Sequence, residues 1–292
     1  MRIAFFGLPL AAVLLARDGH ELVYAGLVPG IGARRVRRQL GARNAREMPE
    51  LTSARVVEDL RAARPELLVS WFWTRPVPPS VLAIAPAVGV HPSLLPRHRG
   101  PDPYFWAIDA GDETTGVTAH LLEEEYDTGA ILGQRALRIE PSWDAWRLAR
   151  ALDRPSLALL REVVGAYAAG RPPTAAPQDE ARATAAPRPS EEELAVRWAA
   201  PAAHIERRVR AAAPWPGMST EIGDEVVVLV RVRVTGDYPR ALAPGEAAVR
   251  ADGVAVVRAG EGAVELLEGR SDEDDARLDA GDLARAVVRA RR

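Results

Sequence analysis

Gly89-Val90-His91-Pro92-Ser93-Leu94-Leu95-Pro96-Arg97-His98-Arg99-Gly100 is the stretch on which the fold turns. An apolar run from Ala85 to Val90 leads into His91. Pro92 and Pro96 then stop any ladder, because proline lacks the N–H and fixes φ. A short apolar run closed by turn residues fits a buried strand. His91 is therefore expected at the carboxyl end of a strand, where open α/β sheets build their sites. Downstream, Thr115 to Leu122 reads as a further strand, and Tyr126-Asp127-Thr128-Gly129 as a turn before another strand-like run from Ala130. A histidine and an aspartate held by rigid loops can serve as an acid–base pair, the carboxylate orienting and tuning the imidazole. Each also has a plainer reading, as a bonded loop residue and as a turn former.

Upstream of that stretch, Arg2 to Phe6 reads as a buried strand, Pro9 to Arg17 as a helix with proline in its first turn, and Glu21 to Val28 as a second strand. This βαβ opening predicts a Rossmann-like, mostly parallel sheet. The turn Gly7-Leu8-Pro9-Leu10 lacks the glycine fingerprint of a dinucleotide site, which argues against NAD. From Pro29 to Glu50, arginines at 34, 35, 37, 38, 43 and 46 face acids at 47 and 50, a balance of six minus two, or +4. This is either a phosphate-contacting loop or a solvated helix, since Ile31 to Leu40 has helical spacing. Ser53 is placed to cap a helix to Ala63, and Glu66 to Phe72 reads as a central strand ending at Trp71-Phe72-Trp73. Helices are expected over Pro79–Ala85, over Pro103–Ala110, and over Trp143–Ala169 with a break near Pro155. Thr115–Leu122 and Ala130–Ile139 are expected to pair antiparallel. His98 and His120 show no ligand spacing with His91, so no metal is expected.

Residues 1–170 form the expected catalytic domain, and 171–189, rich in proline, alanine and threonine, the expected linker. Residues 190–292 start with a helix at Ser190 and an amphipathic helix from Pro201 to Ala213, and they close with a helix over 279–292. Between these lie short strand runs at 218–222, 225–234, 246–250, 253–258 and 263–268, which predict a small closed, OB-like barrel. The chain has 292 residues, a net charge of −2, no cysteine and no lysine. That composition excludes thiol catalysis, cysteine-ligated zinc, a Schiff-base lysine and a P-loop lysine. Neither a signal peptide nor an apolar run long enough for a bilayer is present, so a cytoplasmic protein with no membrane partner is expected.

Taken together, His91-Pro92-Ser93-Leu94-Leu95-Pro96, Arg99-Gly100, Pro103, Gly111-Asp112, Thr115-Gly116-Val117-Thr118 and Asp127-Thr128-Gly129 with Ile131-Leu132 resemble the formyltransferase family. That family uses 10-formyltetrahydrofolate, and the resemblance is to its methionyl-tRNA formyltransferase-like branch. The segment from Trp198 through Trp215-Pro216-Gly217, with Pro244-Gly245 and Gly253-Val254, resembles the C-terminal barrel of that branch. The resemblance implies an enzyme that moves a formyl group from 10-formyltetrahydrofolate to an amine without a metal. His91 would then serve the oxyanion and proton transfer, and Asp127 would orient His91 and accept the amine proton. Ser93, Leu94, Leu95 and Pro96, with Trp71, Phe72 and Trp73, would hold the folate, and Arg97 and Arg99 the substrate. The family pattern is Asn-x-His, and Gly89 stands where it carries asparagine; losing one such oxyanion donor typically costs about 10²–10³ in rate.

The implied acceptor is a charged initiator tRNA or a small amine such as an amino sugar. Residues 190–292 hold 15 arginines and 19 acids, a balance of −4, which weighs against nucleic acid. The alternatives are a formyltetrahydrofolate hydrolase and a catalytically silent folate- or RNA-binding homologue. The sequence carries no signal for oligomeric state.

Overall fold

A computed structural model describes residues 1–290, which divide into two compact units. The first comprises residues 1–103, 114–138 and 151–186. Its strands β1 (Arg2–Gly7), β2 (Glu21–Leu27), β3 (Ala45–Glu47), β4 (Leu67–Trp71) and β5 (Ala87–His91) are all parallel. β6 (Thr114–Leu121) and β7 (Ile131–Arg138) complete the sheet antiparallel, in the order β3-β2-β1-β4-β5-β6-β7. Ile3 to Phe6 are fully buried, as a strand covered on both faces requires.

Helices α1 (Pro9–Arg17), α2 (Ala33–Asn44), α3 (Ala54–Ala63) and α4 (Pro79–Leu82) form the crossovers of this sheet. The basic stretch is thus mostly helix. Arg43 and Arg46 pair with Asp59, and Arg37 pairs with Glu47, while Arg34, Arg35 and Arg38 are not buried. Ser53 does stand at the N-cap of α3, but its side chain makes no cap bond. After α5 (Pro103–Asp109) comes α6 (Ala145–Ala168), which runs unbroken through Pro155, contrary to the expected interruption. Leu152, Leu159, Leu160, Val163 and Val164 form a buried stripe on α6, and this packing outweighs the single hydrogen bond that proline removes.

The second unit comprises residues 104–113, 139–150 and 187–290 of the described chain. It contains α7 (Glu191–Leu194), opened by a complete capping box between Ser190 and Glu193, and α8 (Ala202–Ala212). There follow β8 (Met218–Ile222), β9 (Glu225–Thr235), β10 (Ala247–Val249), β11 (Ala255–Arg258), β12 (Ala263–Ser271), β13 (Arg277–Asp279) and α9 (Ala280–Ala290). The strands order as β10-β11-β12-β9-β8, with β13 beside β12, so the expected barrel is a curled half-barrel rather than a closed one. β8 and β10 are its two free edges. α9 lays Leu283, Ala284, Ala286 and Val287 into the opening and packs across β8, β10, β11, β12 and β13. No described helix is long and apolar enough to cross a membrane.

Candidate active site

Strand register builds the site. β5 pairs with β6 so that Gly89 lies opposite His120 and His91 opposite Thr118. Residues directly opposite in an antiparallel pair share a face, and so do alternate residues of one strand. Gly89, His91, Thr118 and His120 therefore project to the same side, at the carboxyl end of β5.

Thr118 and Gln134 fasten the loop after His91. The Thr118 hydroxyl donates to the Ser93 carbonyl at 2.7 Å and accepts from the Leu95 N–H at 3.0 Å. Gln134 Nε2 donates to the Leu95 carbonyl at 2.8 Å and to Thr118 Oγ1 at 2.9 Å. Ser93 Oγ closes the loop on the Arg97 carbonyl at 2.6 Å, and the peptide before Pro96 is cis. Gly100, at φ +125°, permits close approach, since a β-carbon there would fall 2.7 Å from the Ala186 carbonyl oxygen.

Asp127 occupies a left-handed turn with φ +58°. Gln178 Nε2 holds that turn by donating to the carbonyls of Asp127 at 2.7 Å and Gly129 at 2.8 Å. The carboxylate meets three groups. Oδ2 accepts from the Gly100 N–H at 2.9 Å and lies 3.3 Å from His91 Nδ1. Oδ1 lies 3.5 Å from His120 Nε2. His91 and Asp127, predicted as a pair, are thus brought together, and both imidazoles are buried.

On its other side, His91 Nε2 sits 2.8 Å from the His98 carbonyl. A carbonyl can only accept, so Nε2 carries the hydrogen of the neutral ring, and Nδ1 is the nitrogen that faces Asp127 Oδ2. At 3.3 Å the two atoms stand further apart than in a tight charge-assisted bond. His120 Nδ1 faces the Leu121 carbonyl at 2.8 Å. Burial lowers the basicity of His120 first, Asp127 raises it, and His91 lowers it again, for a net fall below the ordinary imidazole value.

The remaining predicted site residues divide. Ser93 and Leu95 are buried, while Leu94 and Pro96 are half-buried. Trp71 is core, donating through Nε1 to Ser156 Oγ at 2.6 Å. Trp73 packs on Phe6 with centroids 5.9 Å apart, within the buried cluster of Tyr24, Leu60 and Val81. Phe72, at φ +56°, is half-buried and stands edge-on to Trp71 at 4.8 Å. Arg99 reaches no open space with its guanidinium, which is bonded to Glu180 at 2.7 and 2.8 Å and to Gln178 at 2.7 Å. Arg97 is half-buried. Among the described residues no cluster of His, Asp or Glu is arranged to hold a metal ion.

Two further residues emerge from the geometry. His120 was legible as the alternate partner of Thr118 on one strand face. Gln178 was not, for it lies in the stretch read as a linker, which here runs bonded to the site loops through Gln178, Glu180, Thr184 and Ala186. Gln178→Ala leaves two part-buried carbonyls without their donor, at a cost of about 1–3 kcal/mol. The expected result is a lower melting temperature with turnover reduced about tenfold, read by thermal unfolding and steady-state rates.

A formyl transferase model matches residues 30–164, and a formyl transferase C-terminal domain model matches residues 189–286. Methionyl-tRNA formyltransferase of Chloroflexus aurantiacus is 35% identical over 285 residues, covering 92% of this chain and 91% of its own. HypX from Aquifex aeolicus, solved with tetrahydrofolic acid, superposes with a TM-score of 0.69 at 22% identity over 97% of this chain. The chain spans 46% of HypX. An N-formyltransferase from Helicobacter canadensis, solved with folinic acid and dTDP-3-aminofucose, gives a TM-score of 0.63 at 12% identity, covering 90% of this chain and 98% of that one. Matched in both units and across nearly the whole length of a curated relative, the chain belongs to the formyl transferase family and is a formyl-transferring enzyme.

Proposed function

We propose that the protein transfers the formyl group of 10-formyltetrahydrofolate to the amine of a charged initiator tRNA, a reading supported by its similarity to a curated relative named methionyl-tRNA formyltransferase. The observation that carries this reading is the His91–Asp127 pair, 3.3 Å apart at the carboxyl end of β5. Transfer needs an unprotonated amine, a stabilised oxyanion and a proton for the departing folate nitrogen. His91, once it carries a proton on Nδ1, is placed to donate to a developing oxyanion. The loop Ser93–Pro96, whose backbone is fixed by Thr118 and Gln134, forms a rigid wall for the folate. With the indoles of Trp71 and Trp73 spent in the core, Phe72 and the backbone beside it are the pterin-facing part of that segment. Gly89 stands at the asparagine position of the family pattern. No step requires a metal.

A second reading, a small-amine acceptor such as an amino sugar, is favoured by the balance of −4 in residues 190–292. Arg34, Arg35 and Arg38, accessible on α2, favour the nucleic acid instead. An acceptor screen with 10-formyltetrahydrofolate separates the two. Charged tRNA is expected to be formylated with a kcat/KM that falls about tenfold or more between roughly 50 and 200 mM salt. A small amine used at a rate insensitive to salt, with tRNA ignored, replaces the first reading by the second. Free formate released without any acceptor identifies a hydrolase.

A further inference from the structure

We propose that His120 is a catalytic base for this transfer, taking the amine proton on Nε2 and returning it to the folate nitrogen as that bond breaks. The inference rests on the formyl-transfer reading above and adds a residue to it. Its ground is the tautomer. His120 Nδ1 sits 2.8 Å from the Leu121 carbonyl, which can only accept, so Nδ1 holds the hydrogen of the neutral ring. Nε2 is then left with a lone pair, and 3.5 Å away stands Asp127 Oδ1, another acceptor. Two acceptors at that separation make no bond with each other. A primary amine, with two hydrogens, can donate to both at once.

Position 89 supplies the second, independent observation. A β-carbon there would lie 2.7 Å from Leu122 Cδ2 and 3.7 Å from His120 Nε2. A side chain at 89 would crowd the Leu122 methyl and would touch the imidazole at ordinary contact distance. Where the resemblance places an amide, this chain has no side chain, and a ring nitrogen from the neighbouring strand stands beside the position. The imidazole differs from an amide in that it can accept a proton in one step and donate it in the next.

The steps balance. The amine nitrogen forms a bond to the formyl carbon, and the carbonyl π pair moves onto oxygen beside His91 Nδ1. The attacking nitrogen, now positive, loses one hydrogen to Nε2. As the oxygen pair re-forms the carbonyl, the bond from the formyl carbon to the folate nitrogen breaks, and that nitrogen takes the hydrogen from His120. The products are a formamide and tetrahydrofolate, and His120 is again neutral. The charged or titratable groups acting on His120 are Asp127, from the following loop, and His91, from β5. Burial together with His91 outweighs Asp127, which keeps the ring in its base form further into acid than an ordinary imidazole.

The test compares parent, His120→Ala and His120→Gln by single-turnover transfer from 10-formyltetrahydrofolate, across about pH 4.5 to 8, with tetrahydrofolate binding measured beside it. Gln preserves bulk and polarity and cannot take a proton, so it carries the test if Ala unfolds. Both variants are expected to lose about 10²-fold in rate, to bind tetrahydrofolate within about twofold of the parent, and to lose the acid limb of the rate profile. Gly89→Asn, which puts in the side chain that the resemblance places there, is expected to slow the parent about tenfold or more because its β-carbon crowds Leu122 and its amide enters the space beside His120 Nε2. His120→Gln turning over within about threefold of the parent with the acid limb intact overturns the proposal, and so does faster transfer by Gly89→Asn. A parent that transfers formyl to no amine overturns the formyl-transfer reading and this inference together, whereas an active parent with unaffected variants overturns the inference alone.

Discussion

Asp127→Asn is expected to reduce formyl transfer about 10³–10⁴-fold while tetrahydrofolate binding changes little. The effect follows from how many groups one carboxylate serves. Oδ2 receives the Gly100 N–H at 2.9 Å and stands 3.3 Å from His91 Nδ1, and Oδ1 lies 3.5 Å from His120 Nε2. An amide keeps the shape but presents one acceptor and one donor. With its oxygen turned toward Gly100, the new amide changes both imidazoles at once. The charge that raises the basicity of His120 is gone, and an N–H is aimed at the His120 lone pair. Removing the carboxylate partner of a catalytic imidazole in serine hydrolases costs about 10⁴ through a comparable change of tautomer. Steady-state rates with circular dichroism as the fold control check this; turnover within about tenfold of the parent excludes Asp127 from the chemistry.

His91→Ala is expected to cost about 10³-fold in kcat. The ring joins the loop at His98 to Asp127, through 2.8 Å and 3.3 Å separations. Its loss removes the hydrogen offered to the oxyanion and takes the imidazole donor away from the His98 carbonyl. The second effect lowers stability by about 1–3 kcal/mol, so His91→Gln is the companion variant: it can restore the bond to His98 but not the proton transfer. Recovered stability in His91→Gln without recovered turnover is the expected pattern. Full turnover in either variant removes His91 from the mechanism.

The sheet could be read from the sequence because its strands are buried on both faces. Runs such as Ile3 to Phe6 and Ala87 to Val90 leave no helical alternative once glycine and proline bracket them. The His91–Asp127 pairing was legible for a related reason, since two proline- and glycine-framed loops each hold one chemistry-bearing residue. Trp71 and Trp73 show where such reading stops. Aromatics at a strand end suit a ring-binding slot and a core equally well, and the packing of Trp73 on Phe6 and the bond from Trp71 to Ser156 depend on α6 and on residues far away in sequence.

The partners of Arg99 were likewise hidden from the sequence. A basic residue after a folate-loop motif suggests an anion, yet its partners are Gln178 and Glu180, far along the chain in a stretch whose composition announces only a linker. Pro155 marks a break by local rules, and the buried stripe of α6 overrules it. The half-barrel opens where α9 fills the gap, which strand spacing alone does not reveal.

The formyl carbon is the point on which the His91, Asp127 and His120 roles all bear, and its position can be observed. A crystal structure with a non-transferable 10-formyl folate analogue is the most direct measurement. The expected electron density puts the formyl oxygen within about 3.2 Å of His91 Nδ1, with the open face of its carbon toward Asp127 Oδ1 and His120 Nε2. A pteridine seated with its formyl group away from those three side chains, or bound on the far face of the sheet, contradicts the mechanism.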